Sequence, residues 1–398
     1  MRAPKPAVVA LAAVAALTLA GCTGPDDDAT PEPIPTFVPP ALEAQPALGE
    51  AESLLKMLVR PGYAEPEQVA AFERDTGCQV SATPFDSDRE LSNGLAAGGW
   101  DLISVPGWTA LGLIGDGSVA PLNLDLVPSY SQVFEDLKNR RWNTWNGITY
   151  GVPQGRSPLL LASRSDVVTT RLTGLDALFE ESSPWPIALP DSPSTLATAA
   201  LVDGVEDPFA LTGDELSVAA DRVAAAASGG DMWSTETELY DTLASGAAAV
   251  ALAPQPVVDR LVAAGIPIQT QPLDATLGVS DSWMLTSDAE HPNCAYRWLD
   301  YTVRGSVQAP VATRMGQAPA SSEACIMAPD LCTNTGAQDS AFWATVTIEV
   351  TPLGDCLDGR DDVACADIDE WAAAWERATM STSSQAPTVD GPSDSPRS

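Results

Sequence analysis

The sequence predicts an α/β protein built from two lobes. Helical and strand-like segments alternate along the chain, a pattern typical of helices packed on sheets whose strands run largely parallel. About 330 residues lie between two Pro-rich ends, which is enough for two lobes of ordinary domain size. Extended stretches at 150–153 and 276–285 suit a crossing between lobes and a return. The predicted first lobe is therefore 50–152 together with 280–380, and the second is 153–279.

The N-terminus has the pattern of an export signal. Arg2 and Lys5 precede an apolar run at 7–20, too short for a membrane-spanning helix, which needs about twenty residues. The run ends in Leu-Ala-Gly-Cys at 19–22, which resembles the bacterial lipobox. That resemblance implies removal of residues 1–21, lipidation of Cys22 and anchoring at the outer face of the cell membrane. An ordinary secretory signal with a chance cysteine is the alternative.

Both ends of the mature chain have compositions that disfavour folding. Residues 22–49 are acidic and Pro-rich, so we expect an extended linker between Cys22 and the folded part. Residues 381–398 are rich in Ser, Pro and Asp, and we expect a disordered tail there.

Helix signals and apolar periodicity define the elements of the first lobe. Glu-Pro-Glu-Gln at 65–68 predicts the start of a helix that Gly77 ends, and a strand follows at 79–82. A second helix is predicted at 90–97. A buried strand is predicted at 101–105, with Pro-Gly-Trp at its carboxyl end.

Beyond the first crossing, Ala-rich helices dominate 193–252, and 266–272 is extended. Three further helices are predicted, at 294–303, 342–349 and 367–380.

Composition excludes several classes of function. The formal charge is -34, and it becomes -36 without residues 1–21 because Arg2 and Lys5 are lost. Such a polyanion is repelled by nucleic acid, whereas its acidity can concentrate a cationic solute. His291 is the only histidine, which excludes most His-based metal sites and Ser-His or Cys-His catalysis. No metal and no cofactor is expected.

Six cysteines remain after Cys22, and an even number in an exported chain indicates disulfides. Sequence alone does not decide among the fifteen pairings that six cysteines allow. Short loops favour Cys325–Cys332 and Cys356–Cys365, which leaves Cys78 and Cys294 as a long-range pair.

The order of these segments resembles the solute-binding proteins of ABC importers, in particular the spermidine/putrescine-binding branch. The resemblance rests on Glu-x-x-Thr-Gly at 73–77, Phe-Asp-Ser-x-x-Glu-Leu at 85–91, and matches at 63–72, 100–106, 150–153, 189–193, 281–285 and 294–299. It implies the type II periplasmic-binding-protein-like fold, in which hinge strands join two lobes and a cleft between them closes on a small solute.

The resemblance also implies which residues bind the solute. Asp281 falls where the family places the carboxylate that meets an amine, and Asp191 matches an acidic position of the second lobe. Tyr63 and Trp108 are the implied aromatic contacts, which suit a methylene chain and a cation. A turn aspartate at 281, a helix cap at 191 and a packing role for Tyr63 are the alternatives.

Several positions depart from the polyamine-binding pattern. Arg60 and Arg156 stand where the family has Trp, and Ala253, Val258 and Val279 replace further rings. Because Arg recognises carboxylate or phosphate groups, an anionic or zwitterionic solute held by Arg60 and Arg156 is an open alternative. Both side chains could instead pair with local acids.

These observations together predict a membrane-anchored lipoprotein that is not an enzyme. It is expected to be a monomer that captures a small solute, a polyamine such as putrescine or spermidine, for an ABC permease in the cytoplasmic membrane. A hydrolase using two carboxylates, and an interaction lipoprotein that has lost its solute site, are the competing classes.

Overall fold

Two mixed sheets organise the chain. A computed structural model of the protein describes residues 37–180, 183–228, 230–356, 360 and 363–383. For 381–383 it describes the backbone alone. Its strands are β1 (Leu54–Val59), β2 (Gln79–Pro84), β3 (Leu102–Pro106), β4 (Thr144–Trp145), β5 (Ile148–Thr149), β6 (Gly151–Pro153), β7 (Gly155–Arg164), β8 (Ile187–Pro190), β9 (Asp231–Trp233), β10 (Val250–Pro254), β11 (Ile268–Gln271), β12 (Thr276–Val279), β13 (Asp281–Leu285), β14 (Ala318–Pro319) and β15 (Val346–Ile348).

Helices cover both sheets. They are α1 (Pro66–Thr76), α2 (Asp88–Ala97), α3 (Gly107–Gly115), α4 (Thr195–Val202), α5 (Gly213–Ala227), α6 (Glu236–Ser245), α7 (Gln255–Ala263), α8 (Pro292–Val303), α9 (Gly305–Met315), α10 (Ser322–Met327), α11 (Pro329–Asn334), α12 (Ser340–Trp343) and α13 (Ile368–Ser383). Among the described residues, no helix is both long enough and apolar enough to span a membrane.

The first sheet has the strand order β2-β1-β3-β13-β6. β1 runs parallel to β2 and β3, whereas β13 runs antiparallel to β3 and β6. Its core is aromatic. Phe72 of α1 packs edge-on against Trp298 of α8 with ring centroids 4.9 Å apart, and Trp298 lies 5.8 Å from Trp283 of β13. These contacts hold β13 firmly within the first sheet.

The second sheet has the order β15-β12-β7-β10-β8-β9, and β11 and β14 also pair with β7. β8, β9 and β10 run parallel, whereas β7 is antiparallel to β10, β11, β12 and β14. Both sheets are thus mixed rather than largely parallel. The reason is that β7 and β13, which follow the two crossings, pair antiparallel with their neighbours.

The chain crosses between the sheets through short connections at two adjacent points, and it returns to the second sheet later at β14 and β15. Gln154 alone separates β6 of the first sheet from β7 of the second, and Ser280 alone separates β12 from β13. The Gln154 N–H donates to the Asp281 carbonyl at 2.9 Å, and Ser280 Oγ donates to the Gly155 carbonyl at 2.9 Å. Two short extended connections lying side by side are the geometry of a hinge.

Most elements predicted in the first 110 residues are confirmed. α1 begins at Pro66, its Glu65 and Gln68 form a capping box, and Gly77 ends it in the left-handed conformation with φ of 78°. β2, α2 and β3 also form where the sequence predicts them.

The helix predicted at 342–349 is wrong. α12 covers only Ser340–Trp343, and Val346, Thr347 and Ile348 form β15 beside β12. Three consecutive β-branched residues with a buried-half-buried-buried pattern favour a strand edge over a helix. β15 therefore belongs to the second sheet and α13 packs against α5, although the sequence analysis assigned 280–380 entirely to the first lobe.

The described part of the predicted linker, 37–49, lies against the folded chain. The Phe37 ring is 4.4 Å from the Trp145 ring, centroid to centroid, Gln45 Nε2 donates to Asn293 Oδ1 at 2.8 Å, and Arg297 Nη2 donates to the Gly49 carbonyl at 2.9 Å. The composition of this segment led to the prediction of an extended linker because it gives no information on binding partners from distant parts of the chain. The predicted signal peptide, Cys22, residues 23–36 and the tail from 384 onward lie outside the described residues.

Three disulfides cross-link the protein. Cys78–Cys294 joins residues 216 positions apart, at the end of α1 and in α8, and Cys325–Cys332 and Cys356–Cys365 close short loops. These are the pairings that loop length favours. The Cys78–Cys294 bond therefore links the end of α1 to α8, which follows the second crossing.

Candidate functional site

A cavity of about 370 Å³ is lined by residues at the carboxyl ends of strands from both sheets. Residues at or just after the ends of β1, β3, β8, β9, β12 and β15 contribute to it, which is where open α/β sheets bind ligands. Its wall consists of Arg60, Asp86, Ser87, Asp88, Arg89, Pro106, Trp108, Leu159, Pro190, Asp191, Ser192, Ser194, Trp233, Ser234, Val279 and Glu349.

Negative charge dominates this cavity. Four carboxylates line it, those of Asp86, Asp88, Asp191 and Glu349, against the two guanidiniums of Arg60 and Arg89. Within the described part of the chain, no three His, Cys, Asp or Glu side chains are grouped so that they could hold a metal ion. The electrostatics favour a cation, and the lining favours an organic one.

Glu349 is the most perturbed of these acids. It follows β15, its N–H donates to the Gly278 carbonyl at 2.9 Å, and it is 8% exposed. Burial raises the pKa of Glu349 to about 8, and repulsion from Asp88 adds to this shift, whereas a hydrogen bond with Ser194 and the charge of Arg60 oppose it. At neutral pH this carboxyl group holds a proton for most of the time.

Close backbone packing presses the Glu349 segment onto α3. A Cβ at Gly107 would lie 2.1 Å from the Glu349 carbonyl oxygen, so only glycine fits there. Thr351 Oγ1 donates to the Trp108 carbonyl at 2.6 Å and fixes the same contact. These contacts place Glu349 next to the carboxyl end of β3.

Asp281, the carboxylate expected to meet an amine, lies behind Arg60. Its Oδ2 accepts a hydrogen bond from the Tyr63 hydroxyl at 2.6 Å and is 2.7 Å from Arg60 Nε. Asp281 and Tyr63 are almost fully buried, and Arg60 is the member of this trio that lines the cavity. Burial, aided by the Asp281 carboxylate, raises the pKa of Tyr63 well above its ordinary range, so Tyr63 stays a neutral donor.

Arg60 remains charged in this setting. Burial opposes its charge, but the carboxylates of Asp281, Asp88 and Glu236 outweigh that effect and raise the pKa of Arg60.

Asp88 and Asp191 approach the cavity from the start of a helix and from the end of a strand, respectively. Asp88 begins α2 behind the Ser87 cap, and Asp191 follows β8, where it accepts a hydrogen bond from Ser234 Oγ at 3.1 Å. Desolvation raises the pKa of Asp88, Asp281 and Asp191 add to the shift, and Arg60 opposes it. Mutual repulsion among these acids is therefore only partly relieved by arginine.

Two tryptophans supply the apolar part of the wall. Trp108 of α3 also packs against Phe209 and Trp371, with centroid distances of 6.2 and 5.8 Å. Trp233 ends β9, and among the described residues its Nε1–H has no hydrogen-bond partner. This indole N–H is buried and unsatisfied, so Trp233 contributes mainly apolar surface to the wall.

Arg156 does not line the cavity. It lies buried in β7, where Nη2 is 2.6 Å from Asp136 Oδ2 and the guanidinium stacks 4.0 Å from the Trp343 ring centroid. This is the local pairing that the sequence analysis held open for it.

The structure therefore brings three of the six expected binding residues to the cavity wall, namely Arg60, Trp108 and Asp191. Asp281 and its partner Tyr63 lie behind the wall, where Asp281 is paired with Arg60. Sequence reasoning missed Glu349, Asp88 and Arg89. Asp88 and Arg89 lie inside the 85–91 motif that carries the resemblance, which was a signal for them. Glu349 gave no signal because its segment was assigned to a helix.

Comparisons with known proteins agree with this geometry. A family model described as bacterial extracellular solute-binding protein matches residues 67–329, which is more than half of the chain.

Similar solved structures share the fold. A spermidine/putrescine ABC transporter protein of Listeria monocytogenes has a TM-score of 0.69 at 15% identity and covers 83% of this chain and 100% of its own. A spermidine/putrescine ABC transporter substrate-binding protein of Streptococcus pneumoniae, in complex with calcium and HEPES, has 0.67 at 13%, covering 84% and 99%. A binding protein of A. tumefaciens R10 in complex with agropinic acid has 0.62 at 17%, covering 83% and 99%. The chain shares with them the two-lobe fold of periplasmic binding proteins.

The raised pKa of Glu349 predicts how stability depends on pH. Between pH 4.5 and about 8 the folded protein keeps a proton that the unfolded chain loses, so the free energy of unfolding falls as pH rises through this range. Glu349→Gln, neutral throughout, should match the wild type near pH 5 and exceed it by about 2–4 kcal/mol at pH 8. Thermal unfolding at both pH values measures the difference.

The control is Glu376→Gln, at an exposed glutamate of α13, which should change stability little at either pH. A Glu349→Gln effect that is the same at pH 5 and pH 8 would show that this carboxyl group has an ordinary pKa.

Proposed function

Because the chain belongs to the bacterial extracellular solute-binding protein family, we propose that it captures a solute with at least one ammonium group and delivers it to an ABC permease. Membership of this family makes it a binding protein rather than an enzyme. The permease is proposed because the Listeria and Streptococcus structures of the same fold are described as parts of ABC transporters.

The excess of carboxylates in the cavity is the observation that carries the solute class. Four acids face two arginines, and one of those arginines is already paired with Asp281. A solute ammonium group placed among Glu349, Asp88 and Asp191 relieves the repulsion among them and gains charge-assisted hydrogen bonds. Trp108 and Trp233 offer aromatic faces for its methylene groups and its charge.

Putrescine and spermidine are the first candidates, because two structures of the same fold are named for these solutes. An anionic solute held by Arg60 and Arg156 has weaker support. Arg156 is buried against Asp136 and Trp343. Arg60 is paired with Asp281 and shares the cavity wall with several other acidic side chains.

Capture is proposed to close the two lobes about the adjacent crossings. The cavity draws its wall from elements of both sheets, so a solute bound there contacts both lobes at once. Ligand contacts that form only in the closed arrangement shift the population toward it.

Attachment to the outer face of the membrane through Cys22 completes the proposal. Its support is the export signal and the Leu-Ala-Gly-Cys sequence at 19–22. Acyl chains on one cysteine hold a protein at the membrane when more than one chain is attached.

Binding to amines tests the solute class directly. Titration calorimetry with putrescine and spermidine should show heat with a dissociation constant of micromolar or below, and Glu349→Gln should weaken binding at least tenfold, about 1.4 kcal/mol. Mass spectrometry of small molecules released from the purified protein identifies the natural solute without a prior choice.

Glu376→Gln is the matched control and should leave the affinity unchanged. Absence of binding to any amine, together with binding of a carboxylate or phosphate compound, would transfer the site to the anionic alternative.

Localisation has its own test. Cys22→Ala, produced in a bacterium that processes lipoproteins, should leave the membrane fraction, whereas the neighbouring Thr23→Ala should stay in it, because only Cys22 carries the thiol that is acylated. Fractionation followed by immunoblotting measures both. Membrane retention of the Cys22→Ala protein would rule out this anchor.

A further inference from the structure

Asp281 is a buried carboxylate whose binding capacity is only partly used. Its Oδ2 meets the Tyr63 hydroxyl at 2.6 Å and Arg60 Nε at 2.7 Å, and the side chain is 5% exposed. Among the described residues, no donor is hydrogen-bonded to its Oδ1, and Nε2 of the neighbouring Gln317 also lacks a partner. Gln317 Oε1 lies 3.2 Å from the Tyr63 hydroxyl oxygen. These groups form a buried polar cluster behind Arg60, which we term the Asp281 subsite.

Arg60 belongs both to this subsite and to the cavity. Its side chain is 32% exposed and lines the cavity, while its Nε faces Asp281. The backbone is fixed by the Arg60 N–H, which donates to Ser104 Oγ at 2.8 Å, and the guanidinium lies 5.7 Å from the Phe85 ring centroid. Arg60 is thus a positive group held in front of Asp281, between that carboxylate and the space open to a solute.

We propose that Arg60 determines the specificity of this site, because its guanidinium occupies the Asp281 subsite that a second ammonium group of a solute would need. This inference rests on the proposed function, that is, on amine binding in the cavity. The wild-type protein then binds one ammonium group, at Glu349, Asp88 and Asp191, and gains little from a second.

The physical reason is competition between two cations for one carboxylate. A solute ammonium group reaches Asp281 only if the Arg60 guanidinium leaves it, and the displaced guanidinium then loses its counter-ion in a partly desolvated wall. The two cations also repel each other across the cavity. Specificity is a difference between affinities, so this repulsive element removes the advantage that a second ammonium group would give a diamine, while putrescine still binds through its first.

The test compares two four-carbon amines, n-butylamine and putrescine, which differ by the second ammonium group. Arg60→Gln should raise the affinity for putrescine at least tenfold and change that for n-butylamine less than threefold, since only the diamine gains the Asp281 subsite. Arg60→Lys keeps the positive charge and should show no such gain. Calorimetric titration measures the wild type, Arg60→Gln, Arg60→Lys and Arg89→Gln under the same conditions.

Arg89→Gln is the matched control, because Arg89 lines the same cavity and is not the partner of Asp281. Removing its charge opens no contact with Asp281, so Arg89→Gln should favour putrescine over n-butylamine by less than threefold. Equal effects of Arg60→Gln on both amines, or a putrescine-selective gain in Arg89→Gln as well, would overturn the inference in favour of general repulsion.

The outcomes also separate this inference from the proposed function. If the wild type binds neither amine but Arg60→Gln binds putrescine, the role of Arg60 stands and the wild-type solute is not an amine. If the wild type binds putrescine at least tenfold more tightly than n-butylamine, the protein is an amine receptor and Arg60 does not block the second subsite. If no variant, each checked for folding by circular dichroism, binds either amine, both proposals fall.

Discussion

The central constraint on this protein is an excess of negative charge confined in a cavity. Carboxylates crowded in a partly desolvated space repel each other much more strongly than on an open surface. The chain relieves this repulsion in two ways, through the ion pair between Arg60 and Asp281 and through the proton retained by Glu349. Neither removes the excess, because Asp86, Asp88 and Asp191 remain beside them. We propose that a bound organic cation, an amine, completes the neutralisation.

The fold brings these groups together from distant parts of the sequence. Arg60 follows β1, Asp191 follows β8 and Glu349 follows β15, so each is placed by the carboxyl end of a strand. The two crossings lie side by side, joined by the hydrogen bonds of Gln154 and Ser280, and Asp281 is the first residue after the second crossing. The ion pair of Arg60 with Asp281 therefore lies where the two sheets connect. The charged pair thus lies next to the two connections between the lobes.

Local signals were enough to predict much of the first sheet and its helices. The cap at 65–68, the glycine at 77 and the buried strand before Pro106 all act through neighbouring residues, and each element formed as predicted. The disulfide pairing favoured by loop length also formed, since nearby cysteines close loops at small entropic expense.

What depends on tertiary contacts was less predictable. Residues 346–348 became a strand because β12 offers an open edge beside them, and residues 37–49 docked because Trp145 and Asn293 receive them. The pairing of Arg60 with Asp281 joins residues more than two hundred positions apart, so composition and spacing carried no sign of it. Glu349 was missed for the same reason, although it is the acid with the most unusual environment in the cavity.

The number of protons released when an amine binds tests the electrostatic account most directly. If the solute ammonium group replaces the proton on Glu349, calorimetry at pH 7 in buffers of different ionisation enthalpy should show release of about one proton per amine bound. The release should disappear in Glu349→Gln. Amine binding with no dependence on the buffer, or with proton uptake, would contradict the account.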